Sequence, residues 1–407
     1  VSDSTASTPP AATSTHPFSV EGLKSYWQSI RSGDLGALPI VLGLIVIALI
    51  FQSLNENFLT SRNLTNLVVQ LAGITTIAIG VVFVLLLGEI DLSISYISAV
   101  SAVLMTELLL EEWPWWAALG VALIAAAGIG LVTGLIVTKF RVPSFVVTLA
   151  GFLGLNGVVL LLIGSGGTVV IQDEVIIGIA NEFLPAIWGW IIAIVGVAIY
   201  AVAQVLTYRR RRGAGVSYKP PALIALQVGA LAALSFVVVS VFNDDRGFPV
   251  VGLVVLLLLV VFSWIAARTR FGRHIYAVGG NEEAARRAGI NTDMIKIKVF
   301  MLSSALAGMG GIILASRLRS VDTAAGGGSL LLLSIAAAVI GGTSLFGGRG
   351  KPIHALYGAL VIVGVENGMG LLGLSAGVRF VVTALVLLAA VIVDALSRRG
   401  RAQSGRA

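Results

Sequence analysis

The sequence predicts an all-α polytopic membrane protein with about 12 transmembrane helices, both termini cytoplasmic, and one short cytoplasmic helix outside the bilayer. Three observations predict it. Hydrophobic residues make up 57% of the 407 and charged residues only 12%, about half the charged share of a soluble chain. The hydrophobic residues gather into stretches of roughly 20, the length a helix needs to cross a hydrocarbon core of about 30 Å. Lys and Arg then fall on alternate sides of those stretches, as loop charges do in a multi-pass chain.

The expected spans run, in order, over 37–54, 66–87, 94–110, 115–138, 144–165, 187–207, 222–242, 248–267, 299–316, 330–346, 353–372 and 378–396. With the N-terminus inside, 22 of the 27 Lys and Arg lie on the inner side. Only Arg62, Arg246, Arg317, Arg319 and Arg379 lie outside, so an even number of crossings follows from the charge bias. The third span is short and begins beside Glu89 and Asp91. It reads either as a crossing or as a broken, re-entrant segment. Residues 1–36 are polar and rich in Ser, Thr and Pro. They read as a mostly disordered cytoplasmic tail without signal-peptide character, with a short surface helix over Lys24–Ile30 that sets Tyr26 and Trp27 at the headgroups. Residues 37–397 form the membrane domain, and 398–407 a cytoplasmic C-terminal tail.

Composition narrows the function classes. There is no cysteine, which excludes disulfides, thiolate metal sites and cysteine nucleophiles. His16, His274 and His354 lie far apart, with no metal-ligand spacing. The net charge of +7 is spread between apolar spans and is no nucleic-acid patch. Catalytic constellations are lacking.

Two polar segments are too long for simple turns, and long structured loops usually carry function. The outer one, 166–186, holds Asp173, Glu174 and Glu182. It is a candidate surface for an external partner, or a lid over helix ends. The inner one, 268–298, contains the chemistry of a short capped helix. Asn281 is a good N-cap. Glu282 and Glu283 open the helix and Arg286 and Arg287 close it, matching the helix dipole. Ala284, Ala285 and Ala288 favour helix, and Gly289 supplies the C′ position. Gly279 and Gly280 break the chain ahead of it. Two turns cannot hold together in water, so the helix must lie on its own protein's face or against a soluble partner.

The run Phe271–Ile290 resembles the cytoplasmic coupling loop of bacterial ABC-type monosaccharide permeases, the group of ribose, xylose, arabinose and galactose importers. Four more segments match in the family's order. Gly88–Ser93 (GEIDLS) resembles its IDLS motif and Ile340–Gly348 (IGGTSLFGG) its GGTSL-x-GG segment. Glu366–Gly373 (ENGMGLLG) resembles its NG…LLG segment, and the last span, ending in Asp394, its terminal helix. The likeness covers about residues 40–397. The Phe346–Lys351 ending, and an extra pair of spans around Arg209–Arg212, resemble the xylose-type branch. Ser95 departs from a common glycine, and Leu331 and Leu333 stand where many members are acidic.

The resemblance implies a permease homodimer embedded in the lipid bilayer of the inner membrane. It also implies a separate ABC ATPase subunit docked on Gly279–Gly289 and an extracytoplasmic sugar-binding protein outside. No cofactor belongs to this chain, and ATP sits on the partner ATPase. The residues themselves offer no nucleotide site. Gly347–Lys351 lacks the first P-loop glycine, which is Leu345, and has Pro352 after the lysine. The GMGLLG run at 368–373 fits a dinucleotide pattern, but it ends a span and has no βαβ unit around it. Energy then comes from a separate ATPase or an ion gradient. A gradient-driven carrier predicts carboxylates at a midplane site and no docking loop.

Sugars are neutral polyols, so their path needs paired donors and acceptors. Asp91, Asn156, Gln227, Thr343 and Asn367 are the pathway candidates. Each has a second reading: Asp91 as a cap for the helix that follows, the amides and Thr343 as helix-joining groups. Asp394 reads as an i,i+4 partner of Arg398. Small-residue pairs at Gly130 and Gly134, Gly151, Gly154 and Gly157, and 307–311 allow close backbone approach, either within the bundle or at a dimer seam.

Overall fold

The structure, a computed structural model, describes residues 38–216 and 218–403. The expected tail over 1–36, its helix over 24–30 and the Asp394–Arg398 side-chain pair lie outside what is described. The fold is helical throughout, with two small strand pairs. Among the described residues, eight helices are long and apolar enough to cross a membrane, and four shorter apolar helices accompany them.

The chain divides into two compact units. One contains 190–237; the other joins 37–189 to 238–395. The first unit holds most of α7 (Ala186–Gly213) and α8 (Pro221–Asp245), which are apolar all round except at their charged C-terminal ends yet bury little of their own surface. A helix of that character is a membrane span whose solvent is lipid. Trp190 and Phe236 pack their rings 5.2 Å apart, as do Tyr208 and Tyr218.

The second unit is built around α2 (Ser61–Leu86) and α12 (Thr292–Leu318). Every residue of α2 from Leu71 onward is buried. It packs on α12, α13 (Leu330–Ile340) and α14 (Ile353–Leu371), while α12 also packs on α3 (Ile94–Leu110) and α4 (Trp115–Phe140). Small residues make the contacts close. A Cβ on Gly130 or Gly134 would lie 2.8 Å from the Cα of Met301 or Ile297. On α12 a Cβ at Gly310 would lie 2.8 Å from the Gly73 carbonyl, and at Gly311 it would overlap that of Ser98. These glycines therefore serve packing inside the bundle. Gly154 and Gly157 on α5 (Ser144–Ile163) face open space instead.

The 27 residues of α12 set the height of the unit at about 40 Å. At its Leu318 end, β1 (Thr168–Val170) pairs antiparallel with β4 (Ser320–Asp322). Nearby α6 (Glu174–Asn181) is capped by Asp173, and the Ser316 hydroxyl accepts a bond from Ala180 N. Strand β2 (Phe183–Leu184) pairs with β3 (Phe248–Pro249). The outer segment 166–186 is thus folded, not a flexible loop. At the Thr292 end lie α10 (Arg270–Gly280), α11 (Glu282–Arg287), the last turn of α2 and the loop 341–352. Helices α1 (Leu38–Leu54), α9 (Val250–Arg268) and α15 (Ala376–Gln403) complete the chain.

Three elements differ from the sequence expectation. The tenth stretch, expected over 330–346, is helical only to Ile340, because Gly341 and Gly342 lead into a glycine-rich loop that folds back on α2. Its 11 residues reach about 16 Å, half a hydrocarbon core. The last helix continues to Gln403, past the expected end at 396. The inner loop carries two helices rather than one. Gly279 and Gly280 do not break the chain; they form the last turn of α10.

Candidate functional site

The loop between α2 and α3 does not turn round at the end of α2. Gly88, at φ 76°, sends the chain back into the bundle beside α5. Ile90 N donates to the Ser144 hydroxyl at 3.1 Å, the Thr148 hydroxyl donates to Ile90 O at 3.3 Å, and Ser93 lies against Gly151. From Ser144 to Gly151 is about 10 Å along a helix, so α3 starts roughly that far inside. The third span is therefore broken, with its first part extended.

Asp91 sits in that extended stretch, 5% exposed. Its Oδ1 accepts from Ser93 N at 2.9 Å and from the Ser93 hydroxyl at 2.6 Å, while Oδ2 has no partner. From the opposite end, the loop 323–329 reaches the same depth: Gly326, at φ 80°, lies over the carbonyl of Ser95 and the methyl of Ala99. Among the cavities bordering this level are two at opposite ends of the bundle. One of about 430 Å³ is lined by Ser98, Ala102, Leu314, Ser329 and Phe380. The other, about 320 Å³, is lined by Glu89, Arg141, Glu282, Arg286, Asp293 and Lys296.

The second cavity abuts the helix pair at the Thr292 end. Thr269 caps α10, accepting from Gly272 N at 3.1 Å. Asn281 closes α10 through its own N–H and caps α11, its side chain accepting from Ala284 N at 2.8 Å. One asparagine thus makes the corner between two helices. Glu282 pairs with Arg286 at 3.0 Å and Glu283 with Arg287 at 3.1 Å. Gly289, at φ 83°, lets Ile290 N reach back to Ala285 O at 3.1 Å, a left-handed helix stop. Ala285 is buried; Glu283, Ala284, Arg287 and Ala288 face outward.

What α10 and α11 rest on explains their glycine. A Cβ on Gly279 would overlap the carbonyl of Leu86, the last residue of α2, which also accepts from Gly348 N at 2.9 Å. The Tyr276 hydroxyl donates to Gly350 O at 2.8 Å, and burial pushes its phenol up from the usual range. Lys296 donates to Glu89 Oε1 and to Glu282 Oε2, each at 2.8 Å. Burial acts to raise the Glu282 carboxyl. The hydrogen bond and charge of Lys296, with Arg286 and Thr292, outweigh it and hold the group below the ordinary glutamate range. In the sequence Lys296 is one of two inner-side lysines, with Lys298, in the first turns of an otherwise apolar helix.

The remaining pathway candidates lie apart. Asn367 on α14 exchanges two amide hydrogen bonds with Asn63 on α2, 2.8 and 3.0 Å, and donates to Gln70 at 3.4 Å. Thr343, buried in the loop after α13, lies 3.4 Å from His354 Nδ1. Asn156 is half-buried on α5, and its side chain makes no hydrogen bond among the described residues. Gln227 accepts from Lys219 at 3.3 Å within the other unit. A third cluster, missed from sequence, lines a polar cavity of about 300 Å³ near the Leu318 end: Asn66, Gln70, Asn181, Arg246 and Arg317.

A helical bundle with a cavity at each end and a closed level between them is the architecture of a membrane transport permease. The chain belongs to the family described as branched-chain amino acid transport system / permease component, which matches residues 63–392. It is a multi-pass protein of the bacterial inner membrane. It is 35% identical over 381 residues to the xylose transport system permease protein XylH of Escherichia coli K12, covering 92% of this chain and 95% of that one. The XylH of Haemophilus influenzae is 32% identical, covering 91% and 99%. The ribose import permease protein RbsC of Escherichia coli K12 is 32% identical, covering 87% and 92%. No solved structure matches the chain.

Proposed function

We propose that the chain is the membrane-spanning subunit of an ATP-binding-cassette importer for xylose or a related monosaccharide. A separate ATPase subunit docks on Gly279–Gly289 and hydrolyses the ATP, an extracytoplasmic sugar-binding protein delivers the sugar, and two permease copies pair. The observation that carries this reading is the helix pair α10–α11. It is capped at both ends and anchored beneath by Gly279 and Ala285, yet it presents Glu283, Ala284, Arg287 and Ala288 outward. A two-turn helix is costly to hold in place, and this one is held with a polar face uncovered. The whole-length likeness to xylose and ribose permeases supports the sugar class.

In this reading the Thr292 end of the bundle is cytoplasmic and the chain crosses twelve times. Helix α3 is completed by the extended stretch 88–93, and α13 by the loops on either side. Sugar enters the cavity lined by Ser98 and Ser329 and leaves through the one lined by Glu89 and Arg141. Asp91 lies at the closed level between them. Asn367 serves as a tie between α2 and α14, while Asn156, Gln227 and Thr343 remain candidate contacts. The test is uptake of labelled xylose and ribose into vesicles carrying the permease, its ATPase and the binding protein. Uptake is expected with ATP present and ion gradients collapsed. Uptake that follows a proton or sodium gradient without ATP contradicts the assignment.

A further inference from the structure

We infer that Lys296 is the positioning residue that transmits movement of the docked helix to the closed level of the bundle. The inference rests on the importer reading above. Three observations converge on this side chain. Its ammonium joins Glu282, the first residue of α11, to Glu89, which begins the re-entrant stretch after α2, at 2.8 Å on both sides. All three side chains are partly or largely shielded, Lys296 being only 14% exposed. The stretch it grips leads within two residues to Asp91 and within four to Ser93, where α3 begins inside the bundle.

No other link between α11 and this stretch is as direct. Glu282 is also held by Arg286, and Arg286 by Thr292, but both contacts stay within α11 and the first turn of α12. Among the described residues, Glu89 pairs with one cation, Lys296. The ammonium is a compact charge with three donors. It can hold two carboxylates in one geometry and release either when α11 is displaced. Shielded charge pairs are far less screened than exposed ones, so such displacement pulls on Glu89. The stretch 88–93 is extended; its backbone is tied to α2 through Glu89 N and to α5 through Ile90, so a pull on Glu89 reaches both helices.

The experiment uses the complete transporter, with ATPase and binding protein, in proteoliposomes. It reads ATPase co-purification, hydrolysis with and without sugar-loaded binding protein, and sugar carried per ATP. Lys296→Met and Glu89→Gln are expected to keep the ATPase bound. Stimulation by the binding protein and sugar per ATP should fall about fivefold or more, the lower end of coupling between linked sites. Lys296→Arg, which retains both pairings, is expected to stay near the parent. Glu89→Gln leaves the Glu282 pairing in place, so it reports on the link even where Lys296→Met fails to fold. Parent-like coupling in Glu89→Gln overturns the inference while leaving the importer reading intact. A parent chain that carries no sugar with its ATPase and binding protein overturns both.

Discussion

Asn63 and Asn367, 304 residues apart in sequence, exchange two amide hydrogen bonds and so tie the first turn of α2 to the end of α14. Each amide is the other's partner, and Asn63 also donates to Phe58 O. Replacing one member takes both reciprocal bonds from the other, leaving Asn63 only its bond to Phe58 O or Asn367 only its longer one to Gln70. Asn367→Leu is expected to destabilise the permease by about 1 kcal/mol, in the range measured for interhelical polar contacts in membranes. Removing both, in Asn63→Leu/Asn367→Leu, should cost less than the sum of the single changes. Thermal unfolding in detergent checks both. Strict additivity of the two losses would contradict the reciprocal tie.

Gly279 and Gly280 are adjacent but not equivalent. A side chain at Gly279 meets the Leu86 carbonyl, whereas one at Gly280 meets nothing within 4 Å. Gly279→Ala is therefore expected to shift α10 and cost about 1–3 kcal/mol as overpacking. Gly280→Ala should be neutral or slightly stabilising, since alanine favours helix. Melting temperatures and ATPase co-purification of the two variants are compared side by side; equal effects would refute the close approach.

The outward ion pair on α11 contributes little to the fold. Arg287 is 79% exposed and its pair with Glu283 lies in solvent, where such pairs are typically worth about 0.3–0.5 kcal/mol on a helix. Reversing the charge with Arg287→Glu should leave thermal stability unchanged and weaken ATPase co-purification. If the ATPase stays bound and ATP-driven uptake is undisturbed, the outward face of α11 is not the docking surface.

The seating of α11 should resist acid. The folded-state Glu282 carboxyl is held below its ordinary range by Lys296 against the effect of burial. Its contribution is thus fully present above the ordinary glutamate pKa and is lost as pH falls through the lower folded value. Because the chain has no cysteine of its own, Ala288→Cys offers a single labelling site on α11. Mobility of a spin label there is expected to stay constant from neutral to mildly acidic pH and to rise only below the usual glutamate range. In Glu282→Gln that acid transition should disappear.

The local half of this architecture was legible in the residues. The Asn281 cap, the Glu282–Glu283 and Arg286–Arg287 ends and the Gly289 stop are all read within one short segment, and all appear in place. Gly279 was misread as a chain break because its reason lies in Leu86, an element nearly 200 positions away. Asp91 offered two readings, and the burial that frames them appears only once α5 is packed beside it. Lys296 gave almost no signal, since its meaning depends on two carboxylates from separate elements.

By itself the sequence determined the solvent, the apolar stretches that become helices, the alternation of loop charge between them and the capped helix. Each of these is a property of residues within a few turns of one another: apolar length against bilayer thickness, loop charge, and cap chemistry. Tertiary structure alone decided that α3 starts inside the bundle, that α13 stops short, and that Glu89, Lys296 and Glu282 form one connection. Those outcomes depend on which backbone passes which at contact distance, and pairings between distant segments leave no periodic trace in either partner.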